Sequence, residues 1–182
     1  MSIIYTLIAN KIDNVICDYT DNDGNFEQIT RLVLNKEVEP DSTKALQIKN
    51  YRYHYINENK ITFLSFSQGI EDSTMIAFLR EIKNSLYKTY EYETIVQAQA
   101  NQLKSFSKNI QELLSYYIET PRMSVGGEVI NDLVEVKKMM TKNITDLIER
   151  GVKLDIIVKK SEKLRTNAEN VAGFVSFYMY FI

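Results

Sequence analysis

The chain has 182 residues, 45% of them apolar and 25% charged, which is the balance of a folded soluble protein with enough core for one domain and an extension. A formal net charge of -2 excludes a whole-chain electrostatic footprint for nucleic acid. The single cysteine, Cys17, excludes an internal disulfide and a cysteine zinc cluster, and it fits a reducing compartment.

The opening "MSIIYTLIANKID" has neither a basic n-region nor a continuous apolar h-region, so no secretory signal is expected. "SIIYTLIAN" is a β-branched and aromatic run, and "KIDNVICDYT" alternates Ile12, Asn14, Ile16 and Asp18 against Asp13, Val15, Cys17 and Tyr19. Both predict strands. "DNDGN" predicts a turn with Asp23 as the N-cap of a helix, in which Phe26, Ile29, Leu32 and Val33 fall at helical spacing. Pro40 and "PDST" break the chain. Three more strands come next: "KALQIKN", then "YRYHYIN" and "KITFLSFSQ" joined by the polar "ENK" as a hairpin. "EDSTMIAFLREIKNSLYKTY" places Met75, Leu79, Ile82 and Leu86 on one helical stripe, and Leu103, Phe106, Ile110, Leu113 and Tyr117 form another. Residues 1–118 thus read as one α+β domain of order β-β-α-β-β-β-α-α. Residues 119–125 are a linker: Pro121 stops a helix, and Gly126 and Gly127 loosen the chain just beyond it.

From Arg122 to Ile182 there is no proline, and the apolar residues keep a 4-3 spacing. The seam runs Gly126, Val129, Leu133, Val136, Met140, Asn143, Leu147, Arg150, Leu154, Ile157, Ser161, Leu164, Ala168, Val171, Val175 and Tyr178, which is more than seven heptads. As one helix it would be about 80 Å long. The stripe is too narrow to be the inward face of a globular helix, and each glycine in it weakens the helix by about 1 kcal/mol. The segment alone is therefore expected to be weakly helical and to fold on a partner. "VAGFVSFYMYFI", residues 171–182, is apolar and uncharged but shorter than the roughly 20 residues of a bilayer span. Residues 179–182 are read as the start of a membrane anchor, either cut short or replaced by another mode of attachment.

Arg150 sits in a packing position although its guanidinium cannot shed its charge. Buried without acceptors it would cost several kcal/mol, and a homodimer would set two like charges face to face. The placement is rational if partner helices bring side-chain carbonyls, such as those of glutamine, to the same level. The charge then enforces register and rejects wrong partners, with the polar Asn143 two layers away reinforcing it.

Residues 126–178, with "ITDLIERGVKLDIIVKKSEKLRTNA" at their centre, resemble the R-type SNARE motif, whose central layer is an arginine. Residues 1–118 resemble the longin domain, most closely in "KNYRYHYINENKITFLSFS" and "AFLREIKNSLYKTY". Together they resemble the longin-domain R-SNAREs, the long, synaptobrevin-like vesicle-associated membrane proteins. The resemblance implies a profilin-like domain, a five-stranded antiparallel sheet with helices on its faces, followed by a long coiled-coil SNARE helix. It implies fusion of vesicle and target membranes by zippering with three Q-SNARE helices. Arg150 would be the central layer and Leu147 and Leu154 its flanking layers. It also implies membrane association on the cytoplasmic face of vesicle, endosomal, lysosomal or Golgi membranes, with no cofactor. The longin half would regulate assembly, by folding back on the SNARE helix or by binding sorting adaptors. On the family pattern Leu46 and Ile48 are nominated for that surface. The absence of Lys or Arg after Arg165 departs from the basic juxtamembrane stretch usual in the family.

No catalytic or metal site is read. His54 is the only histidine, in a strand among Tyr51, Tyr53 and Tyr55, with no patterned triad partner, so a structural role is expected. "YRYHY" is read as sheet packing rather than nucleic-acid stacking. "EDST" reads as a helix start, and Gly126-Gly127 lacks the Lys and Ser/Thr of a phosphate loop. The alternative to a SNARE is a longin-fold adaptor or tethering subunit whose C-terminal helix is a coiled-coil scaffold. Such a scaffold would have no use for Arg150.

Overall fold

A computed structural model of the chain describes residues 2–11, 14–119, 139, 141–151 and 157–160. The elements run β1 (Ser2–Lys11), β2 (Asn14–Tyr19), β3 (Asn22–Gly24), α1 (Phe26–Glu37), β4 (Ser42–Ile48), β5 (Tyr51–Glu58) and β6 (Ile61–Gln68). Then come α2 (Asp72–Thr89), α3 (Tyr92–Gln97), a 3-10 turn (Lys104–Phe106), α4 (Ser107–Glu119), β7 (Thr141–Asn143), α5 (Thr145–Gly151) and β8 (Val158–Lys160). The main sheet has the order β2-β1-β6-β5-β4-β7. Its first five strands pair antiparallel, as expected for the N-terminal half, and β7 joins β4 in parallel from the second half.

The central strands β1 and β6 are buried on both faces along most of their length and β5 along its middle; β1 reads as a near-continuous apolar run, whereas β5 interleaves Tyr51, Tyr53 and Tyr55 with Arg52 and His54 and β6 interleaves its apolar residues with Thr62, Ser65 and Ser67. One face carries Ile3, Ile8, Phe63 and Ile56 under the α2 residues Met75, Phe78, Leu79 and Ile82 and the α4 residue Ile110. The other face carries Leu7, Leu64, Phe66, Tyr53 and Tyr55 under the α1 residues Phe26, Ile29 and Val33. Helices therefore cover both faces. Tyr53 stacks on Phe66 with centroids 4.5 Å apart, and its hydroxyl meets the Thr30 hydroxyl at 3.0 Å inside the α1 layer. The β5–β6 hairpin turns through Asn59 and Lys60, both at positive φ (53° and 65°), the backbone of a type I′ turn. α1 stops at Glu37 ahead of Pro40, as the sequence predicts.

Four local expectations are corrected. Asp23 is not an N-cap: it lies in β3, and the capping position of α1 is Asn25. "DNDGN" is therefore part strand, because β3 finds a partner in β8. The strict alternation in β2 fails because Ile8 faces Cys17 while Ala9 faces Val15, which leaves Ile16 as an extra residue on the strand. The second C-terminal stripe is not one helix. Leu103 and Phe106 are buried in and before a 3-10 turn, and α4 buries Ile110 and Leu114, with Leu113 and Tyr117 at its margin. Ahead of the turn the Asn101 and Leu103 amides donate to Val15 O at 2.9 Å and Ile16 O at 3.0 Å, and α3 ends earlier, where Asn10 Nδ2 donates to the oxygens of Ile95 (2.8 Å), Val96 (3.0 Å) and Ala98 (2.9 Å).

Candidate functional site

An edge strand offers a row of unpaired N–H and C=O groups to any extended chain. β4 is such an edge in the first five strands, and β7 takes it, with Ala45 facing Thr141, Leu46 facing Lys142 and Gln47 facing Asn143. The Ile144 amide continues the ladder by donating to Gln47 O at 2.8 Å. The chain then turns into α5. Asn143 Oδ1 accepts from the Thr145 amide at 3.0 Å, which satisfies a donor at the helix start. The Ile148 amide donates to Ile144 O at 3.1 Å. The Thr145 hydroxyl accepts from the Lys49 amide at 3.1 Å, beyond the end of β4, where Lys49 has φ of 51°.

Apolar burial holds the segment down. Ile144 and Ile148 are 1% and 2% exposed and belong to the cluster of Ile29, Val33, Leu46 and Ile48, with α5 packed on α1 and β4. Each buried isoleucine contributes about 2 kcal/mol by transfer from water, an upper value. Met139 packs instead on the α2 side, so the segment rounds the β4 edge from one face of the sheet to the other. Two ion pairs flank it: Lys142 Nζ to Glu37 Oε2 at 2.7 Å and Lys49 Nζ to Glu149 Oε1 at 3.2 Å. The second is exposed on both sides and contributes little beyond register, whereas in the first the Glu37 side chain is largely buried and only Lys142 is exposed.

A second contact lies on a different part of the domain. β8 pairs with β3, setting Asn22 opposite Lys160, Asp23 opposite Lys159 and Gly24 opposite Val158. The Asn25 amide donates to Ile157 O at 3.2 Å, and the Ile157 amide donates to Asn25 Oδ1 at 2.8 Å. Gly24 is required there, because a Cβ on it would overlap the Ile157 carbonyl oxygen.

The seam residues divide accordingly. Asn143 lies exposed in β7, Leu147 is half-buried on α5, and Ile157, just ahead of β8, is 50% exposed. Arg150 belongs to α5 by its backbone, and its side chain lies outside the described features. Gly126, Val129, Leu133, Val136, Met140, Leu154, Ser161, Leu164, Ala168, Val171, Val175 and Tyr178 lie outside the described residues, as do the expected linker from 120 to 125, residues 179–182 and most of the expected long helix. Where that helix is described, α5 is helical and β7 and β8 are strands. In the described part of the segment the apolar residues Ile144 and Ile148 are buried at the sheet edge. Leu46 and Ile48, nominated for the regulatory surface, are both buried with Ile144 and Ile148. Those two isoleucines are not seam residues, and a search for the seam does not find them. Their signal in the sequence is an i, i+4 pair one residue off the seam.

His54 has a partner that its sequence neighbourhood does not reveal. Its Nε2 lies 2.9 Å from Asp72 Oδ1, and Arg52 Nη1 donates to the same oxygen at 2.6 Å. The hydrogen bond with His54, helped by Arg52 and opposed by burial, holds the Asp72 carboxyl below its usual range. The cluster ties β5 to the first turn of α2. No group of three or more metal-ligating side chains exists among the described residues, and no helix there is long and apolar enough to cross a membrane.

Two family models match the chain, a longin model described as a regulated-SNARE-like domain over residues 16–110 and a synaptobrevin model over residues 127–172. The chain is 27% identical over 172 residues to vesicle-associated membrane protein 725 of Arabidopsis thaliana, covering 93% of this chain and 60% of that protein. It is 28% identical over 172 residues to vesicle-associated membrane protein 722 of the same plant, covering 93% and 77%. To vesicle-associated membrane protein 7 of Gallus gallus it is 26% identical over 180 residues, covering 94% and 81%. The chain thus spans three fifths of the length of the first of these relatives.

Proposed function

This chain belongs to the longin family of regulated-SNARE-like domains, and from that premise we propose that it is an R-SNARE of vesicle-mediated transport. Its second half zippers with three Q-SNARE helices on the opposing membrane, and folding of that bundle supplies the work of bringing the bilayers together. One observation carries the reading: the synaptobrevin match over 127–172 covers most of a 4-3 seam whose one charged member is Arg150. The layers are Val129, Leu133, Val136, Met140, Asn143, Leu147, Arg150, Leu154, Ile157, Ser161, Leu164, Ala168, Val171 and Val175. The units are a longin domain over 1–118, a linker over 119–125 and the SNARE motif over 126–178. The protein works on the cytoplasmic face of vesicle, endosomal, lysosomal or Golgi membranes.

The longin half regulates assembly. The pairing of β7 with β4 and of β8 with β3 supports a closed form in which it holds the SNARE segment. A sorting adaptor that offers an extended strand and two apolar anchors would compete for the same edge, over Leu46 and Ile48.

Circular dichroism of the full chain mixed with three Q-SNARE helices tests the zipper. A helical signal well above the sum of the separate spectra, with one sharp melt, is the expected result. In Arg150→Leu, homomeric or off-register assembly should rise at the expense of partner discrimination. Spectra that simply add would leave the adaptor or tether reading in its place.

A further inference from the structure

β5 sends its side chains to the two layers in turn. Tyr53 and Tyr55 pack in the α1 layer, while Arg52 and His54 meet Asp72 at the start of α2. His54 is fully buried there. Asp72 is ionised near neutrality, and a carboxylate only accepts hydrogen bonds. The proton shared with His54 therefore sits on Nε2, 2.9 Å from Asp72 Oδ1. A neutral imidazole carries one such proton, which leaves Nδ1 bare. Among the described residues Nδ1 is buried and has no hydrogen-bond partner.

The surroundings of the ring offer nothing to a second proton. The residues opposite His54 are Ala45 on β4 and Ser65 on β6. The Ser65 hydroxyl is engaged by Thr6 Oγ1 and Tyr5 O, and the Ser67 hydroxyl, opposite Arg52, makes no bond to the ring. On α2, Asp72 Oδ1 already accepts from Arg52 Nη1 at 2.6 Å. Glu71 is exposed ahead of the helix, and the partly buried Arg80 lies about two turns further along it. The Lys83–Glu58 pair sits at the far end of β5. A proton on Nδ1 would thus set a second cation against one carboxylate and bury an N–H that has no acceptor.

The first turn of α2 depends on this cluster. Its capping position, Glu71, makes no side-chain bond to the helix. The polar tie to the sheet is Asp72, held by His54 and Arg52, and Arg52 Nε carries the network on to β4 by donating to Gln47 Oε1 at 2.8 Å. We propose that neutral His54 latches the first turn of α2 to β5, and that uptake of a proton at Nδ1 opens the latch and frees Asp72 and the turn that carries it. The longin domain then holds a switch that works where histidine changes charge, between about pH 5 and 8. His54 is the chain's only histidine, so the device rests on one residue.

The test uses the full chain and His54→Gln, whose amide still donates to Asp72 but takes up no proton. Hydrogen exchange at the Met75 amide, which donates to Glu71 O at 3.1 Å, reports the first turn of α2. The Tyr90 amide, which donates to Leu86 O at 2.9 Å, reports the far end of the same helix. Both are read as protection factors, so that the pH dependence of exchange chemistry itself drops out. From about pH 7.5 to about pH 5.5, Met75 protection in the parent should fall about tenfold, the factor for one proton taken up by an imidazole that reaches water only when the turn is open. Tyr90 in the parent and Met75 in His54→Gln should each change by less than about twofold, since neither opening takes up that proton. Nitrogen NMR of the parent's ring needs no variant: near neutrality Nε2 should carry the proton and Nδ1 should be bare. If His54→Gln does not fold, the ring spectrum and the parent's protection factors still decide. A proton on Nδ1 near neutrality, a Met75 protection that holds or rises on acidification, or an equal fall in His54→Gln overturns the proposal.

Discussion

Gly24→Ala should release the β8 contact without harming the domain that carries it. Gly24 does not use the left-handed backbone reserved for glycine, since the only glycine at positive φ among the described residues is Gly69. Alanine therefore introduces no backbone strain and removes some unfolded-state entropy, which on its own would stabilise the domain by about 0.5 kcal/mol. The obstacle is external. The new Cβ would overlap the Ile157 carbonyl oxygen and lie 2.9 Å from its carbon, and a backbone group cannot swing aside as a side chain can. The third close atom, Phe26 Cδ1 at 3.0 Å, is a ring edge that yields by a small rotation. Release breaks the β3–β8 ladder and the two hydrogen bonds between Asn25 and Ile157, at 3.2 and 2.8 Å. At about 1 kcal/mol net for each of those two bonds, it is worth about 2 kcal/mol, or roughly thirtyfold in the opening equilibrium. Hydrogen exchange at the Ile157 amide reads this directly. Protection there within threefold of the parent, or a loss of protection at the β1 and β6 amides, would refute the reasoning.

Three further outcomes concern the longin core. Asn10→Ala strips the donor from three carbonyls at the end of α3 and should lower the domain's unfolding free energy by about 1–3 kcal/mol in urea titration, a loss below about 0.5 kcal/mol showing that water replaces the amide. Asp72 is held below its ordinary 3.8, so its contribution is complete above that value and fades as pH falls through the lower folded value; Asp72→Asn should be less stable than the parent by about 1 kcal/mol or less near neutrality, after discounting for solvent screening, and the two denaturation curves should converge in acid. A gap between them that persists or widens in acid would mean that shape, not charge, is what Asp72 supplies. The Cys17 thiol is pushed up to about 12, chiefly by burial and further by Asp18, so alkylation at mildly alkaline pH should wait on unfolding, and fast labelling of the native chain would show that β2 opens on its own.

The sequence pattern carries the longin half well where burial and periodicity coincide. β1 and β6 are largely apolar because both their faces are covered, the tyrosines of β5 alternate with polar residues, and α1 and α2 show their inward stripes at 3.6 spacing. It fails where a partner distant in sequence decides the outcome. β3 is three residues long and is a strand only because residues 158–160 lie beside it. α3 ends where it does because of a side chain 85 residues earlier. His54 meets Asp72 across 18 residues, and no local pattern distinguishes that carboxylate from any acidic residue in a helix's first turn. In the second half the 4-3 pattern picks out a seam, while the residues most deeply buried against the chain's own domain are Ile144 and Ile148, one position off it. On the R-SNARE reading two sets of contacts share one segment, and the longer repeat hides the shorter pair.

That overlap also accounts for the composition between Thr141 and Lys160. Thr141, Asn143, Ile144, Thr145, Ile156, Ile157 and Val158 are each about 0.5 kcal/mol poorer than alanine in a helix, and Gly151 is about 1 kcal/mol poorer. Together they weaken an isolated helix by about 4–5 kcal/mol, more than a handful of surface ion pairs could restore. Most of those residues are good strand formers. A sequence optimised for the bundle alone would have filled the outward positions with alanine, glutamate and lysine, and the sheet edge could not compete with the helix it then formed. The poor propensity keeps the free segment within reach of the sheet edge, where two isoleucines and a few hydrogen bonds suffice to hold it. On the R-SNARE reading proposed above, a partner bundle that buries seven or more heptads of seam exceeds that hold. On that reading the weak helix is the condition for two arrangements of one segment, with Ile144, Ile148 and the Asn25 contact holding one and the seam holding the other.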